Sequence, residues 1–238
     1  MSYPFRTVVA AACFLLAVAF AASPFFSNGF GGFDPSQFPV PQNDPPVQPA
    51  GWAFAIWGPI YLWLIVGLGY GLWRAPRDGQ WHAMRLPLCL SLAVGTGWIA
   101  VAMLSPVWAS VMIWVMLIAA LAALFASPVE EAPFAALPVG FYAGWLSAAS
   151  CVSLGLLAAG YGWLEEATAA FLFVGMAIVI GALVQATLKR APTYGIAVIW
   201  ALTAVAMADW STVRGVSYLA IAGAAVVLIP TLRALRPR

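Results

Sequence analysis

The sequence predicts an all-α protein, a polytopic membrane helix bundle of about eight transmembrane helices. Three observations carry this expectation. Of 238 residues, 64% are hydrophobic and 8% are charged, with a mean hydropathy of +0.95. A water-soluble domain cannot hide that much apolar surface, because its outside is largely polar. The apolar residues also form continuous runs, at about 7–23, 51–73, 87–104, 107–127, 134–158, 167–188, 194–209 and 215–232. Most approach the roughly 20 residues that cross a bilayer as a helix, and membrane strands would alternate instead. Third, with a cytoplasmic N-terminus, Arg6, Arg74, Arg77, Arg85, Lys189, Arg190, Arg233, Arg236 and Arg238 all fall inside and only Arg214 outside. That is the charge asymmetry of an inserted helical protein. It places both termini in the cytoplasm, and helical spans fit a bacterial inner membrane. Glu130 and Glu131 do not fit the pattern neatly, but acidic residues weigh little in it.

The first run has the outline of a signal peptide: Arg6, an apolar core and "AFAAS" at 19–23. Pro24 follows directly and disfavours cleavage, so the run is expected to stay as the first helix. Residues 24–50, "PFFSNGFGGFDPSQFPVPQNDPPVQPA", form the long loop. It lacks Lys and Arg and holds five Phe, which need something apolar to cover. Long loops in compact bundles serve as lids or binding segments; this one is expected to be an extracytoplasmic lid.

In the second helix Pro59 removes a backbone donor, which predicts a kink. Gly67 and Gly71 form a GxxxG pair, as do Gly140 and Gly144, and both predict close helix contacts. Trp63 and Trp73 read as lipid or interface anchors.

Conventional chemistry has little to work with. A net charge of +2 gives no reason to expect nucleic acid. Cys13, Cys89 and Cys151 sit singly in apolar runs with no CxxC, so no disulfide framework or zinc site is expected. His82, the single His, reads as a solvated loop residue beside Trp81. There is no GxxxxGK[ST] phosphate loop. The single Lys, Lys189, is expected at a helix end, which excludes a buried Schiff-base lysine. Charges are nearly missing from span centres, whereas ion-coupled transporters keep them there. Asp209, next to Trp210, reads as an interfacial residue. What is left is aromatic, small and apolar, and suits a large flat ligand.

The aromatic residues supply the candidate site. Phe54, Trp57 and Tyr61 follow i, i+3, i+7 spacing and share a helix face. "PAGWAFAIWGPIYLWLIVGLGYGLW" (49–73) resembles the second-helix signature of the TspO/translocator protein family, the tryptophan-rich sensory proteins: Pro49, Trp52, Trp57 and Tyr61 match, with four residues between the two Trp where the family has five. "VGTGW" (94–98) is similar to the family's third-helix motif, keeping Trp98 with Gly95 where Asn is usual. "YAGWLSAASCVS" (142–153) is similar to the fifth-helix motif. There Tyr142, Trp145 and Ala149 match, and Ser153 replaces Asn.

The resemblance implies a five-helix core over residues 1–160 with its lid at 24–50, and three additional helices over 161–238. It implies a receptor or carrier, not an enzyme with its own acid–base pair. The ligand would be a porphyrin or haem, or a sterol-like lipid, in a pocket under the first loop. The implied ligand residues are Trp52, Phe54, Trp57, Tyr61, Trp98, Tyr142 and Trp145, and a homodimer is a further implication. The alternatives are a secondary transporter of a small hydrophobic substrate and a membrane-complex assembly factor in which the Trp and Tyr are belts. Tetrapyrrole breakdown is a third, but no catalytic group or metal ligand is expected for it.

Overall fold

The computed structural model describes residues 3–26, 30–208 and 213–235. Eight α-helices follow in order: α1 Tyr3–Ala22, α2 Trp57–Arg74, α3 Gly79–Ala102, α4 Pro106–Ala126, α5 Ala136–Gly160, α6 Glu166–Leu188, α7 Thr193–Ala208 and α8 Arg214–Ala234. Among the described residues seven helices are long and apolar enough to cross a membrane. At 16 residues α7 is the short one, and at 1.5 Å per residue it falls short of a roughly 30 Å hydrocarbon layer. The loop completes its end: the Ala50 N–H donates to the Ala204 carbonyl (3.1 Å), and Trp200 Nε1 donates to the Ala53 carbonyl (3.0 Å).

The centre of the bundle is α5, nearly every residue of which is buried. It packs on α4, α6, α7 and, more lightly, α2, while α1 lies on α2 and α3 and α8 closes over α6 and α7. Small residues make the α5–α7 contact possible. A Cβ on Gly144 would run into the Tyr194 carbonyl and stand 2.9 Å from Ala197 Cβ, and one on Gly140 would stand 2.9 Å from Thr193 Oγ1. Without water to drive helices together, such close backbone approach supplies the dispersion and polar contact that holds them. Thr193 adds a bond to the Leu137 carbonyl (2.7 Å), and Tyr194 shares one with Ser147 Oγ (2.9 Å). The other GxxxG works differently. Gly67 makes room for the Phe134 carbonyl and Gly71 for the Trp81 ring, so neither receives a facing helix backbone.

Several sequence expectations are corrected. Pro59 makes no kink, because α2 starts at Trp57 and Pro59 lies in its first turn, where no backbone N–H has a helical partner. The 3₁₀ stretch Gly51–Ile56 leads into it instead. The third helix begins eight residues before its apolar run, capped by Asp78, whose carboxylate accepts from the Trp81 N–H (2.9 Å). His82 therefore lies inside α3 and is buried, with Phe5 edge-on at 5.9 Å. Arg85 is buried as well: it bonds the Ala75 carbonyl (3.0 Å) and lies 5.0 Å over the Trp81 ring. Trp81 Nε1 donates to Glu131, which also accepts from Tyr70. The apolar run alone does not mark this turn, because its polar residues are covered by Phe5, Ala75 and Glu131 from other segments. Trp63 also ties α2 to the segment before α5, donating to the Pro133 carbonyl (2.9 Å). Trp73 is exposed, with Arg74 over its ring. Cys13 is buried and its thiol meets the Arg85 carbonyl (3.9 Å), which ties α1 to α3. Lys189 ends α6 in the left-handed conformation (φ 53°), at the helix end where it was expected. Asp209 and Trp210 lie outside the described residues.

The loop from residue 30 to 50 is fastened to three helix ends. Gln37 Nε2 donates to the Ala102 carbonyl (2.9 Å), the Val40 N–H to the Gly160 carbonyl (2.8 Å), and Ala50 to α7 as described. Phe38 and Val47 are buried against Gly160 and Gly155. Asp34 caps the turn Pro35–Gln37, accepting from the Ser36 N–H, while Gln37 returns a bond to the Asp34 N–H.

Gly144→Leu should cost about 1–3 kcal/mol of stability by overpacking, read as a lower unfolding temperature in detergent. Gly97→Ala, whose Cβ meets nothing within 4 Å, should gain about 0.5–1 kcal/mol from helix propensity. The Ser36 hydroxyl and N–H hold the Asp34 carboxyl below its ordinary range. That stabilisation is full above the ordinary carboxylate range and is lost as pH falls through the lowered value. Acid, or Asp34→Asn at neutral pH, should speed hydrogen exchange at Ser36 and Gln37 without unfolding the helices.

Candidate functional site

The site grows from the junction where the 3₁₀ stretch meets α2. A 3₁₀ segment advances about 3 residues per turn, so it turns Phe54 toward α5, while the α-helical spacing stacks Trp57 on Tyr61 at 5.3 Å and 18°. Phe20, from the end of α1, stands edge-on to Trp57 (5.7 Å), Tyr61 (5.1 Å) and Tyr142 (5.8 Å). Trp145 of α5 meets Trp57 at 6.2 Å and Phe54 at 5.9 Å, near 80° in each case. Edge-to-face pairs of this kind place positive ring edges on negative faces. Trp98 of α3 is fixed by its N–H bond to the Ala109 carbonyl (2.9 Å) and receives Phe30 of the loop edge-on at 4.8 Å.

Two cavities share this aromatic wall. The inner one, about 60 Å³, lies between Phe54, Trp57, Trp98 and Trp145 on one side and α6 and α7 on the other, through Phe173, Val174, Ala201 and Val205. Phe30, Gly32, Phe33, Gln48 and Pro49 close it, so the loop covers the site as a lid. The second, about 270 Å³, lies between the ends of α1 and α2. Phe30, Phe54, Trp57, Trp98 and Ile113 border both. No charged residue lines either cavity among the described residues, and none of them form a cluster of His, Cys, Asp or Glu able to hold a metal.

Polar groups are few. Ser153 lines the inner cavity but donates its hydroxyl to the Ser150 carbonyl (2.8 Å). Gln48 faces it from the lid. The indole N–H of Trp145 is buried with no hydrogen-bond partner, a condition that costs about 1–3 kcal/mol unless something accepts from it. Gly95, standing where the resemblance would put Asn, is explained locally: a Cβ there would be 2.7 Å from the Phe20 ring.

Of the seven residues singled out in sequence, the structure brings five to the cavities. Phe54, Trp57, Trp98 and Trp145 line the inner one, and Tyr61 the second. Tyr142 lies one layer behind, fully buried, its hydroxyl bonded to Ser91 Oγ at 2.9 Å. Trp52 lines neither; it is 42% exposed and packs edge-on against Trp200 at 4.9 Å. Sequence reasoning missed Phe20, Phe30 and Ile113, and all of the α6–α7 wall. Apolar residues in a span look alike whether they face lipid or a cavity, so no local signal marks them. The wall also shows that residues after 160 are part of the site.

No curated protein matches the chain, and no solved structure does. A family model described as TSPO-like protein matches residues 7–233, which runs through all eight helices, beyond the five that the motifs cover. With seven apolar helices long enough to span a bilayer, this is an integral, multi-pass membrane protein of the TspO type. The chain belongs to the TSPO-like protein family.

Proposed function

We propose that the protein is a membrane receptor or carrier that holds a flat hydrophobic ligand, a tetrapyrrole or a sterol-like lipid, in the aromatic cage beneath the lid. The observation that carries this reading is the convergence of Phe54, Trp57, Trp98 and Trp145 on one apolar cavity, with the buried Trp145 N–H lacking an acceptor. Apolar walls with a few convergent polar groups characterise small-molecule sites. A ring system would stack on the indoles, and an oxygen of the ligand would satisfy the Trp145 donor.

Size gives the lid its part. At about 60 Å³ the inner cavity is far below the roughly 300–1,000 Å³ of a drug-sized site. Phe30 and Phe33 fill the remaining space. A ligand therefore enters by displacing these two rings, and its own rings take over their contacts with Trp98 and Phe54. The lid's fastenings to Ala102, Gly160 and Ala204 lie beyond Phe33 in sequence, so the Phe30–Phe33 segment can swing while the rest holds. Lining chemistry favours a neutral ring system over a dicarboxylate: carboxylates within a cage without cations would lack partners, which puts those of a porphyrin at the mouth.

The arginines at the α2–α3, α6–α7 and α8 ends and the lack of Lys and Arg in the lid at the opposite end support cytoplasmic termini and an outward-facing site, and an inner-membrane location.

The test is a titration of the detergent-solubilised protein with protoporphyrin IX and, separately, a fluorescent sterol. Saturable binding of at least one is expected. Trp57→Ala and Trp145→Ala should each weaken it tenfold or more, equivalent to about 1.4 kcal/mol. Unchanged affinity in both variants, with the helical content retained, refutes the site. Trp145→Phe keeps a ring and removes the donor, so it should lose about 1 kcal/mol for a ligand that carries an acceptor.

A further inference from the structure

We propose that the second cavity is a binding site for a single acyl chain of a bilayer phospholipid, entered sideways between the outer ends of α1 and α2. Nothing in the ring-ligand reading requires it, and it stands whether or not that reading holds.

The walls define the occupant. Phe20, Ala21, Ile99 and Met116 form the inside, with the shared indoles behind them, and Pro24, Phe25 and Gly58 form the lips. The residues outside the shared wall are apolar except for the Tyr61 hydroxyl. Such a space does not hold ordered water, which needs two to four polar partners. At about 270 Å³ it exceeds the roughly 150 Å³ apolar cavity that accepts benzene, yet falls under the range of compact drug-sized ligands. A hydrocarbon chain is narrow enough to fill it and long enough to remain attached to a head group outside.

Position identifies the source. The lips belong to two candidate spans, Pro4–Phe26 and Gly51–Arg74, at their shared outer ends. Phe25 is 88% and Phe26 91% exposed, the most exposed large apolar side chains of the described chain. At a span end they face the boundary between acyl chains and head groups, where aromatic rings settle. Gly58 is exposed in the mouth, and a Cβ placed on it meets nothing within 4 Å. The mouth is therefore open where a phospholipid's chain begins. Met116 and Ile99, by contrast, are nearly inaccessible from outside, so a chain reaches them only by entering.

The experiment uses the full-length protein in phosphatidylcholine nanodiscs. A minor fraction of the lipid carries a photoactivatable diazirine along one acyl chain. After illumination, labelled residues are identified by peptide mass spectrometry. Labelling at Met116 or Ile99 is expected, above that at Leu146, which is equally buried but borders neither cavity. Gly58→Trp should cut it about tenfold, the effect of a block worth about 1.4 kcal/mol, while labelling of exposed Leu172 on α6 stays the same. Gly58→Ala should leave the labelling unchanged. Ala21→Trp, which fills the inside of the cavity from the α1 wall, should repeat the loss, so the result does not depend on one variant's folding. Labelling at Met116 and Ile99 no greater than at Leu146 overturns the proposal. So does labelling that survives both Trp variants, which means another route, or cross-linking of a second copy across Phe25, which means a protein covers the mouth. The probe has no ring system, so failure here is distinct from failure of the titration above.

Discussion

The structure depends on how closely α5 and α7 approach. Gly140 and Gly144 leave no side chain between α5 and the Thr193–Ala197 turn of α7. In lipid the hydrophobic effect does not press helices together, so packing contact and the Thr193–Leu137 and Tyr194–Ser147 bonds hold this pair. Because α7 sits so near, its Ala201, Leu202 and Val205 reach the inner cavity. Its C-terminal end also comes within reach of the loop, where Ala204 and Trp200 bond to residues 50 and 53. Those bonds fix the 3₁₀ stretch that aims Phe54 and starts α2 at Trp57. A bulkier residue at 144 would thus move the helix wall, the lid's hinge and the aromatic stack together.

The two ends of the bundle differ in chemistry. At the lid end the cavity-lining groups are largely aromatic and uncharged, and the charges nearby, Asp34, Asp44 and Glu165, are acidic and exposed. At the other end polar groups are buried but interlocked: Arg85 over Trp81, Trp81 on Glu131, Tyr70 on Glu131, and Arg190 bonded to the last carbonyls of α4 at Leu124, Phe125 and Ser127. Arginine at a helix C-terminus answers both the unpaired carbonyls and the helix dipole. The polar end holds the helices in register, and that frees the other end to present a cage with almost no polar cost. The buried, unpartnered Trp145 N–H, with Gln48 of the lid, is consequently the place where a ligand's polarity would be read.

Much of this was legible in the residues, and the failures have a common cause. Helix number and the long loop rest on run length and composition, and the shared face of Phe54, Trp57 and Tyr61 on aromatic spacing, whereas Trp98 and Trp145 were singled out by the resemblance to the TspO family. The start of α3 was hidden because His82 and Arg85 look solvated until Phe5, Ala75 and Trp81 are seen around them. The kink at Pro59 was expected because the helix start was placed at residue 51. Six residues of 3₁₀ turn move Pro59 into the first turn, where it does no harm. The tie from Trp63 to the Pro133 carbonyl was not legible, because its partner is 70 residues away.

What the sequence alone determined is the solvent and the class of structure. Lipid requires every backbone group to be paired within its own segment, so continuous apolar runs can only be helices, and their count and the character of the loop follow. Tertiary structure decided which of the many equivalent apolar residues face one another. Trp52 went to Trp200, Tyr142 to a second layer, and Phe30 into the cage. Phe173, Val174, Ala201 and Val205 became the cavity wall, although residues 161–238 carry no motif. The physical reason is that lipid and a cavity interior are nearly the same medium for a side chain. Burial in one or the other leaves no trace in composition or period, and only the contacts between helices distinguish them.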